Sequence, residues 1–288
     1  MKHAFEALSA KFYHLRQFSK YCFTERGAML AEARRLTKFG MRAVSLLDKS
    51  TRDDLRIEHL EPFVAHILGI FYTTVGHHDA IQTLALSGHS LESMMILRSH
   101  LEAVLAFLYV TEPQTNLDEV YARTDKYRHW VVVKMKQNLE RSKNLNLLQP
   151  VLRPEFIDTV NANYATVVGE NSPKELKQLD AAHSFLNSNL RKALAKRFGI
   201  PDLYEHIFAE SSATIHFADI GDRMRETGLL SYRYTIRNSH GAFWPLTASN
   251  IVQAKCVQQF GNFFGVQNIV EAQIRSIFGP KTRLTNAS

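Results

Sequence analysis

The sequence predicts an all-α protein, a bundle of about eight to ten helices with a short extended segment near residues 230–245. The 288 residues include only eight prolines and thirteen glycines, which are few turn-forming residues for a β-rich fold. Apolar residues recur every three or four positions along most of the chain, as they do on the buried face of a helix. A hydrophobic content of 45% with 22% charged residues excludes a largely disordered chain.

Helical periodicity and local start and stop signals divide the chain into segments. Ser50, with acidic residues after it, predicts the start of a helix. Pro62 either begins a further helix or kinks the helix that starts at Ser50. Pro201 suits the first turn of a helix. Small polar stretches at 76–79 and 87–90 predict breaks. In chain order, the predicted helices cover about residues 3–23, 25–47, 50–75, 80–86, 90–110, 117–145, 154–168, 174–198, 201–226 and 247–278.

The segment 230–245 departs from the helical pattern. Three apolar or aromatic residues alternate with polar ones, a period of two that indicates a short strand pair or an extended loop over the helices. These residues are Tyr232, Arg233, Tyr234, Thr235, Ile236 and Arg237. No linker is evident, so we predict one domain over 1–288. In it, N-terminal helices within 1–57 flank a core of about 60–278, and 279–288 form a disordered tail.

Charge and cysteine usage restrict the environment and the partners. The net charge is +7, and one Lys or Arg against eight acidic residues in 58–119 separates two basic blocks. Such blocks either bind a polyanion such as RNA or are ordinary solvated helix faces.

Two distant cysteines, Cys22 and Cys256, form no disulfide framework and favour a reducing cytoplasm. Charged residues interrupt the most apolar window, so we expect no membrane span.

Arg98 is the sharpest feature, since it is the only Lys or Arg between residues 57 and 122. It lies in the apolar segment 87–110, and Glu102 follows it by four residues on the same helix face. A helix that is apolar on most sides is predicted to be buried, and a buried guanidinium needs a partner charge. The pair is therefore either a centre in which Arg98 holds an anion and Glu102 orients it or acts as a base, or a structural ion pair.

A polar stripe follows one face of the predicted helix 201–226. It consists of Ser212, His216, Asp219 and Arg223. Stacked on one helix, these side chains point the same way, which argues against a Ser-His-Asp triad and favours a polar interface stripe. His216 could still contribute a proton or an anion contact if the stripe faces Arg98, with Tyr204 and Ser212 in support.

Arginine followed after four to six residues by histidine is a third pattern, used by metal-independent HEPN-type ribonucleases to polarise and cleave a phosphodiester. Three pairs match: Arg52 with His59, Arg123 with His129, and Arg233 with His240. About three such matches are expected by chance from twenty arginines and thirteen histidines, so the spacing alone carries little weight.

Candidate nucleic-acid contacts are basic or aromatic side chains outside the Arg98 helix. They are Lys126, Arg128, Trp130, Arg233 and Arg237. The chain has no Glu-x-x-His, no HExxH, no cysteine pair and no glycine-rich phosphate loop. We therefore expect neither a metal nor a cofactor.

The segment SGHSLESMMILRSHLEAVLAFLYV, with the later Tyr204, Ser211 or Ser212, and His216, resembles a large bacterial all-helical family described only as a domain of unknown function, number 5677. Its members share a small-residue break, then an apolar helix in which Glu follows Arg by four residues, and later a Tyr…Ser…His helix. The resemblance spans roughly residues 60–225 and implies an all-α fold without a settled activity. A looser resemblance links the chain to HEPN-like proteins of phage-defence and toxin systems.

These observations lead to a functional hypothesis with alternatives. The first is a metal-independent endoribonuclease or RNA-responsive effector in bacterial antiviral defence or a toxin system, with Arg98, Glu102 and His216 as its centre. The second is a non-catalytic helical module that binds a protein partner or a small anion through that centre. The third is a scaffold in which the ion pair is structural. We expect RNA or a protein as partner, and a homo-oligomer such as a homodimer.

Overall fold

A computed structural model describes residues 25–52, 55, 62–113, 116–144, 153–182, 184–215, 224–228, 231–234 and 243–278. These residues are helical apart from one hairpin, which confirms the all-α prediction. The chain divides into two compact units: unit 1 is Met1–Glu112 with Ser188–Ser288, and unit 2 is Pro113–Asn187. The single-domain organisation stays a prediction. The predicted helix 3–23 and the tail 279–288 lie outside the described residues.

Ten α-helices, one 3-10 helix and two strands occur in the described part of the chain. In order, they are α1 (Glu25–Met41), the 3-10 helix (Ala43–Lys49), α2 (Pro62–Leu86), α3 (Ser90–Thr111), α4 (Leu117–Asn144), α5 (Pro154–Glu170), α6 (Pro173–Ala181), α7 (Ser188–Arg197), α8 (Pro201–Ile215), β1 (Met224–Gly228), β2 (Ser231–Tyr234), α9 (Phe243–Phe263) and α10 (Gln267–Phe278).

The core of unit 1 lies where α2, α3 and α9 pack against one another. Phe71, Phe107 and Phe260, one from each helix, are fully buried, and the Phe71 ring centroid lies 5.5 Å from that of Phe107 and 4.6 Å from that of Phe260. Helices α1 and α10 cover α9, and α7 and α8 pack on α3. This arrangement buries the apolar stripe of α3, including Leu97 and Leu101, and leaves its Arg98 face towards α7 and α8.

Two turns position the elements around α3. Gly88, with φ of 79°, ends α2 while the backbone N–H of His89 donates to the Leu84 carbonyl. Gly199, with φ of 69°, ends α7 in the same way, and Pro201 begins α8. Glycine adopts this left-handed conformation without a Cβ clash, so each turn reverses the chain within a few residues.

Unit 2 consists of α4 packed against α5 and α6. Its apolar contacts join Val132 and Val133 of α4 to Val167 of α5. A capping box begins α6: Ser172 accepts from the backbone N–H of Glu175, and the Glu175 carboxylate accepts from the backbone N–H of Ser172.

Three predicted boundaries are wrong. The predicted helix 174–198 is two helices, because α6 ends at Ala181 in unit 2 and α7 begins at Ser188 in unit 1. The predicted helix 201–226 is helical as α8 over Pro201–Ile215, but 224–226 lie in β1, whose backbone pairs antiparallel with β2. The extended segment predicted near 230–245 is a strand at 231–234, and its partner strand β1 precedes the predicted segment. The C-terminal end of that prediction is wrong, because α9 starts at Phe243.

The predicted break at 76–79 is also wrong, since α2 continues through it. Gly76 is exposed, and a Cβ added there would meet no atom within 4 Å. Gly76→Ala should therefore raise the free energy of unfolding by about 0.5–1 kcal/mol, because alanine favours a helix.

Gly261→Ala provides the contrast. The added Cβ would lie 2.9 Å from Val270 Cβ, so this variant should lower the free energy of unfolding by about 1–3 kcal/mol. Urea denaturation measures both, and a destabilised Gly76→Ala would contradict the continuous helix.

Candidate functional site

Arg98 and Glu102 form an ion pair one turn apart on α3, with Arg98 Nε 3.7 Å from Glu102 Oε1. Their side chains are 32% and 33% exposed. The prediction that hydrocarbon encloses Arg98 is therefore wrong. This stripe of α3 lies beside its buried stripe, at the edge of the contact with α7 and α8, and it retains access to solvent.

A second guanidinium completes this centre. Arg191 of α7 donates from Nη1 to Glu102 Oε1 at 2.7 Å, which is a shorter contact than that of Arg98. The Arg191 side chain is only 14% exposed, and its Nε is buried without a hydrogen-bond partner among the described residues. Arg191 was not among the residues predicted from the sequence. The available signal was its position one turn before the buried Leu194 and Ala195 on the apolar face of α7.

Both guanidinium groups also lie against one aromatic ring. The Cζ atoms of Arg98 and Arg191 are 5.0 and 4.8 Å from the ring centroid of Phe208 on α8. Tyr204 is buried one turn earlier, and its ring centroid lies 4.6 Å from that of Phe208. Cation–π attraction and packing therefore fix the ring and both arginines in one place. We call Arg98, Glu102, Arg191 and Phe208 the arginine centre.

The arginine centre carries two positive charges against one carboxylate. Among the described residues, Arg98 makes no hydrogen bond, so its Nη groups can donate hydrogen bonds to the oxygens of a further ligand. A planar guanidinium binds phosphate or carboxylate oxygens in a bidentate manner. The arrangement can thus hold an anionic group beside Phe208.

Two predicted members of this centre, His216 and the side chain of Ser212, fall outside the described residues. Asp219 and Arg223, which share the predicted polar stripe with them, also lie outside. Their convergence on Arg98 therefore stays a prediction. Tyr204 does lie at the centre, where it packs against Phe208.

Of the three Arg–His pairs, only Arg123 with His129 has both side chains among the described residues. Arg52 donates from Nη1 to the Phe263 carbonyl at 3.0 Å and lies over the Phe263 ring, which ties the start of its segment to the end of α9. His59, Arg237, His240 and the side chain of Arg233 are outside the described residues. Arg123 bonds to Glu119 on its own helix at 2.5 Å, whereas His129 bonds to other partners.

His129 lies in unit 2 within a network of polar contacts. Its Nδ1 accepts from Asn171 Nδ2 at 2.9 Å, because that amide also donates to the Val167 carbonyl. The ring proton is therefore on Nε2, which donates to Glu170 Oε2 at 2.9 Å and lies 3.2 Å from Asp125 Oδ2. Both ring nitrogens are engaged, which leaves neither available as a base in this arrangement.

Arg128 holds the two carboxylates of this network. Its Nη2 lies 2.8 Å from Asp125 and 2.7 Å from Glu170. Partial burial lowers the pKa of Arg128, but the hydrogen bonds to Asp125 and Glu170 outweigh it, so the pKa lies above its usual range. Arg128 was predicted to contact nucleic acid, yet its charge is used within unit 2. Of the other residues predicted to contact nucleic acid, Lys126 is exposed and Trp130 is half-buried.

Asp125, His129 and Glu170 bring three ligand atoms within 4.8 Å of one another, as a metal site would. The donor set nevertheless does not suit a metal. The proton on His129 Nε2 points at the carboxylates, and Arg128 Nη2 lies 2.9 Å from the same nitrogen. A bound cation would have to displace both, so this cluster is a charge network that Arg128 already partly neutralises.

Leu91–Thr111 is long and apolar enough to cross a membrane by length and composition. However, 61% of this window is buried inside the fold, as is common for the core helix of a soluble protein.

Comparison with protein families gives one match. A model described as a family of unknown function (DUF5677) covers residues 64–228, more than half of the chain, so the chain belongs to this family. The match includes α2 to α8 and hence every residue of the arginine centre. It confirms the resemblance predicted over roughly 60–225, while the looser HEPN-like resemblance stays a prediction. Neither the curated proteins nor the solved structures contain a match.

Proposed function

We propose that this member of the DUF5677 family binds a small anion at the arginine centre of unit 1. The observation that supports the proposal is that Arg98 and Arg191 share one carboxylate oxygen of Glu102 and one ring, that of Phe208. Two cations held together against a single anion repel each other, and an added phosphate or carboxylate group would relieve that repulsion.

The positions of the partners also suit a binding site. Arg191 is mostly buried and fixed by Glu102, so little side-chain entropy is lost when it meets a ligand. Arg98 is more exposed and can close on an anion that approaches from solvent. Partial burial reduces screening by salt and strengthens each charge-assisted hydrogen bond.

Titration with inorganic phosphate tests the proposal. We expect Arg98→Gln and Arg191→Gln each to weaken phosphate binding at least about tenfold, because each removes a charge and a hydrogen-bond fork. Arg191→Lys keeps the positive charge but not the planar pair of donors, so it should weaken phosphate binding less than Arg191→Gln does. Arg275→Gln is the matched control, since Arg275 is 74% exposed on α10 and should leave binding within about twofold of wild type.

Isothermal titration calorimetry at two salt concentrations gives the affinities, and circular dichroism confirms that each variant keeps its helices. Equal phosphate affinity in wild type, Arg98→Gln and Arg191→Gln would contradict the proposal, as would the lack of any binding by the wild type. Loss of helix in both arginine variants would instead identify the ion pairs as structural.

Metal-independent cleavage of RNA at this centre is the second candidate. The finding that favours it is the second guanidinium, since two arginines can stabilise the charge that develops on a phosphodiester during cleavage. His216 would supply the proton transfer, with Ser212 and Tyr204 in support. Labelled single-stranded RNA incubated with a chelator measures this activity. Cleavage lost in both Arg98→Ala and His216→Ala supports the nuclease, while intact RNA with arginine-dependent phosphate binding supports a binding module.

A further inference from the structure

Unit 2 contains a cavity that the proposed function does not use. Its volume is about 750 Å³, within the range of small-molecule sites. It is bounded by α4, by the end of α5, by α6 and by the segment that follows α6, all within unit 2. The volume does not identify a class of ligand, so the class has to be inferred from the residues that line the cavity.

One side of the cavity is aromatic. Trp130 and Phe185 both line it, and their ring centroids lie 6.1 Å apart. Tyr127 supports Phe185 from behind in an edge-to-face contact at 5.0 Å. Because these rings pack on one another, their positions are fixed in advance, and Trp130 and Phe185 offer an apolar surface to a ligand.

The other side is acidic. Three carboxylates line the cavity, those of Asp125, Glu170 and Glu175, against one ammonium group, that of Lys126. Counted over these four side chains, the formal charge of the lining is −2. Arg128 behind Asp125 and Glu170 reduces this to −1. An acidic cavity is unusual in a chain whose net charge is +7.

Two of the carboxylates are held in the ionised form. The hydrogen bond from Arg128 is the main cause that lowers the pKa of Glu170, and His129 adds to it. Hydrogen bonds from the hydroxyl and backbone N–H of Ser172 lower the pKa of Glu175. The negative charge of the wall therefore persists at neutral pH.

We propose that the unit 2 cavity binds a small organic cation, an amine whose apolar or aromatic body packs on Trp130 and Phe185 while its ammonium group faces Glu170 and Glu175. The carboxylates of Glu170 and Glu175 attract the ammonium group, while the rings of Trp130 and Phe185 contact the apolar body of the amine. The acidic lining disfavours anions, so this site and the arginine centre differ in ligand class. A bare metal ion is disfavoured because Arg128 already occupies the Asp125–Glu170 carboxylates.

Three probes that share a phenyl ring and differ in charge test the proposal: phenethylamine, 2-phenylethanol and 3-phenylpropionate. The chain has two tryptophans, so a Trp244→Phe background makes Trp130 the only fluorescent indole. We expect phenethylamine to shift the Trp130 emission saturably, with at least about tenfold weaker binding of the alcohol and still weaker binding of the propionate.

Variants assign the effect to the wall. Glu175→Gln removes a charge but keeps the capping box, because glutamine also caps at this position. It should weaken phenethylamine binding about three- to tenfold, as should Glu170→Gln. Glu155→Gln is the matched control, since Glu155 is exposed on α5 and does not line the cavity. Equal affinity for the three probes, tightest binding of the propionate, no saturable shift with phenethylamine, or unchanged affinity in Glu175→Gln would overturn the proposal.

Discussion

Phe260→Ala should lower the free energy of unfolding by about 3–5 kcal/mol. The Phe260 side chain is fully buried at the junction of α2, α3 and α9, and its ring centroid lies 4.6 Å from those of both Phe71 and Phe264. Truncation removes the apolar surface of the ring from the core and leaves a space that rigid aromatic neighbours cannot fill.

Ile251→Ala on the same helix is the matched control, because Ile251 is 39% exposed and should cost less than about 1 kcal/mol. Urea denaturation followed by far-UV circular dichroism measures both values. Comparable losses in the two variants would show that the three-helix junction is not the core of unit 1.

Mild acid should destabilise unit 1 through the two histidines that face each other in this core. His78 and His100 are fully buried, and their ring centroids lie 5.8 Å apart. His78 accepts from Ser249 Oγ at Nδ1 and donates from Nε2 to the Ala33 carbonyl at 3.3 Å. Burial favours the uncharged form of both rings.

Burial lowers the pKa of His78 from 6.5 to about 4, and burial together with the charges of His78 and His77 lowers the pKa of His100 well below 6.5. The unfolded chain therefore binds more protons than the folded chain below pH 6.5. Stability is full above that pH and is lost progressively as the pH falls towards 4. From His78 alone the loss at pH 5 is about 2 kcal/mol, and His100 adds to it in the same direction.

Unfolding free energies at pH 7.5 and pH 5.0 measure this loss. His100→Leu should reduce this loss, because the variant has one fewer buried group to protonate. His66→Gln, an exposed position on α2, should leave the pH dependence unchanged. A wild-type protein that is equally stable at both pH values would contradict the burial of His78 and His100.

Most helices could be predicted because their apolar residues repeat at a helical period, and that period reports a buried face before any partner is known. The prediction failed where the local signal was weak. Gly76 and its histidine neighbours suggested a break, yet α2 continues because His78 gains hydrogen bonds to other helices and burial offsets the helix propensity lost at one glycine.

The same distinction applies to the arginine centre. The four-residue spacing of Arg98 and Glu102 places them on one face of one helix, and that placement needs no information beyond the chain. The partner that binds Glu102 more closely comes from 89 residues further along, and the ring that both arginines contact comes from yet another helix. Their meeting depends on how α7 and α8 pack on α3, and the period of each segment reports that it has a buried face but not which distant segment covers that face.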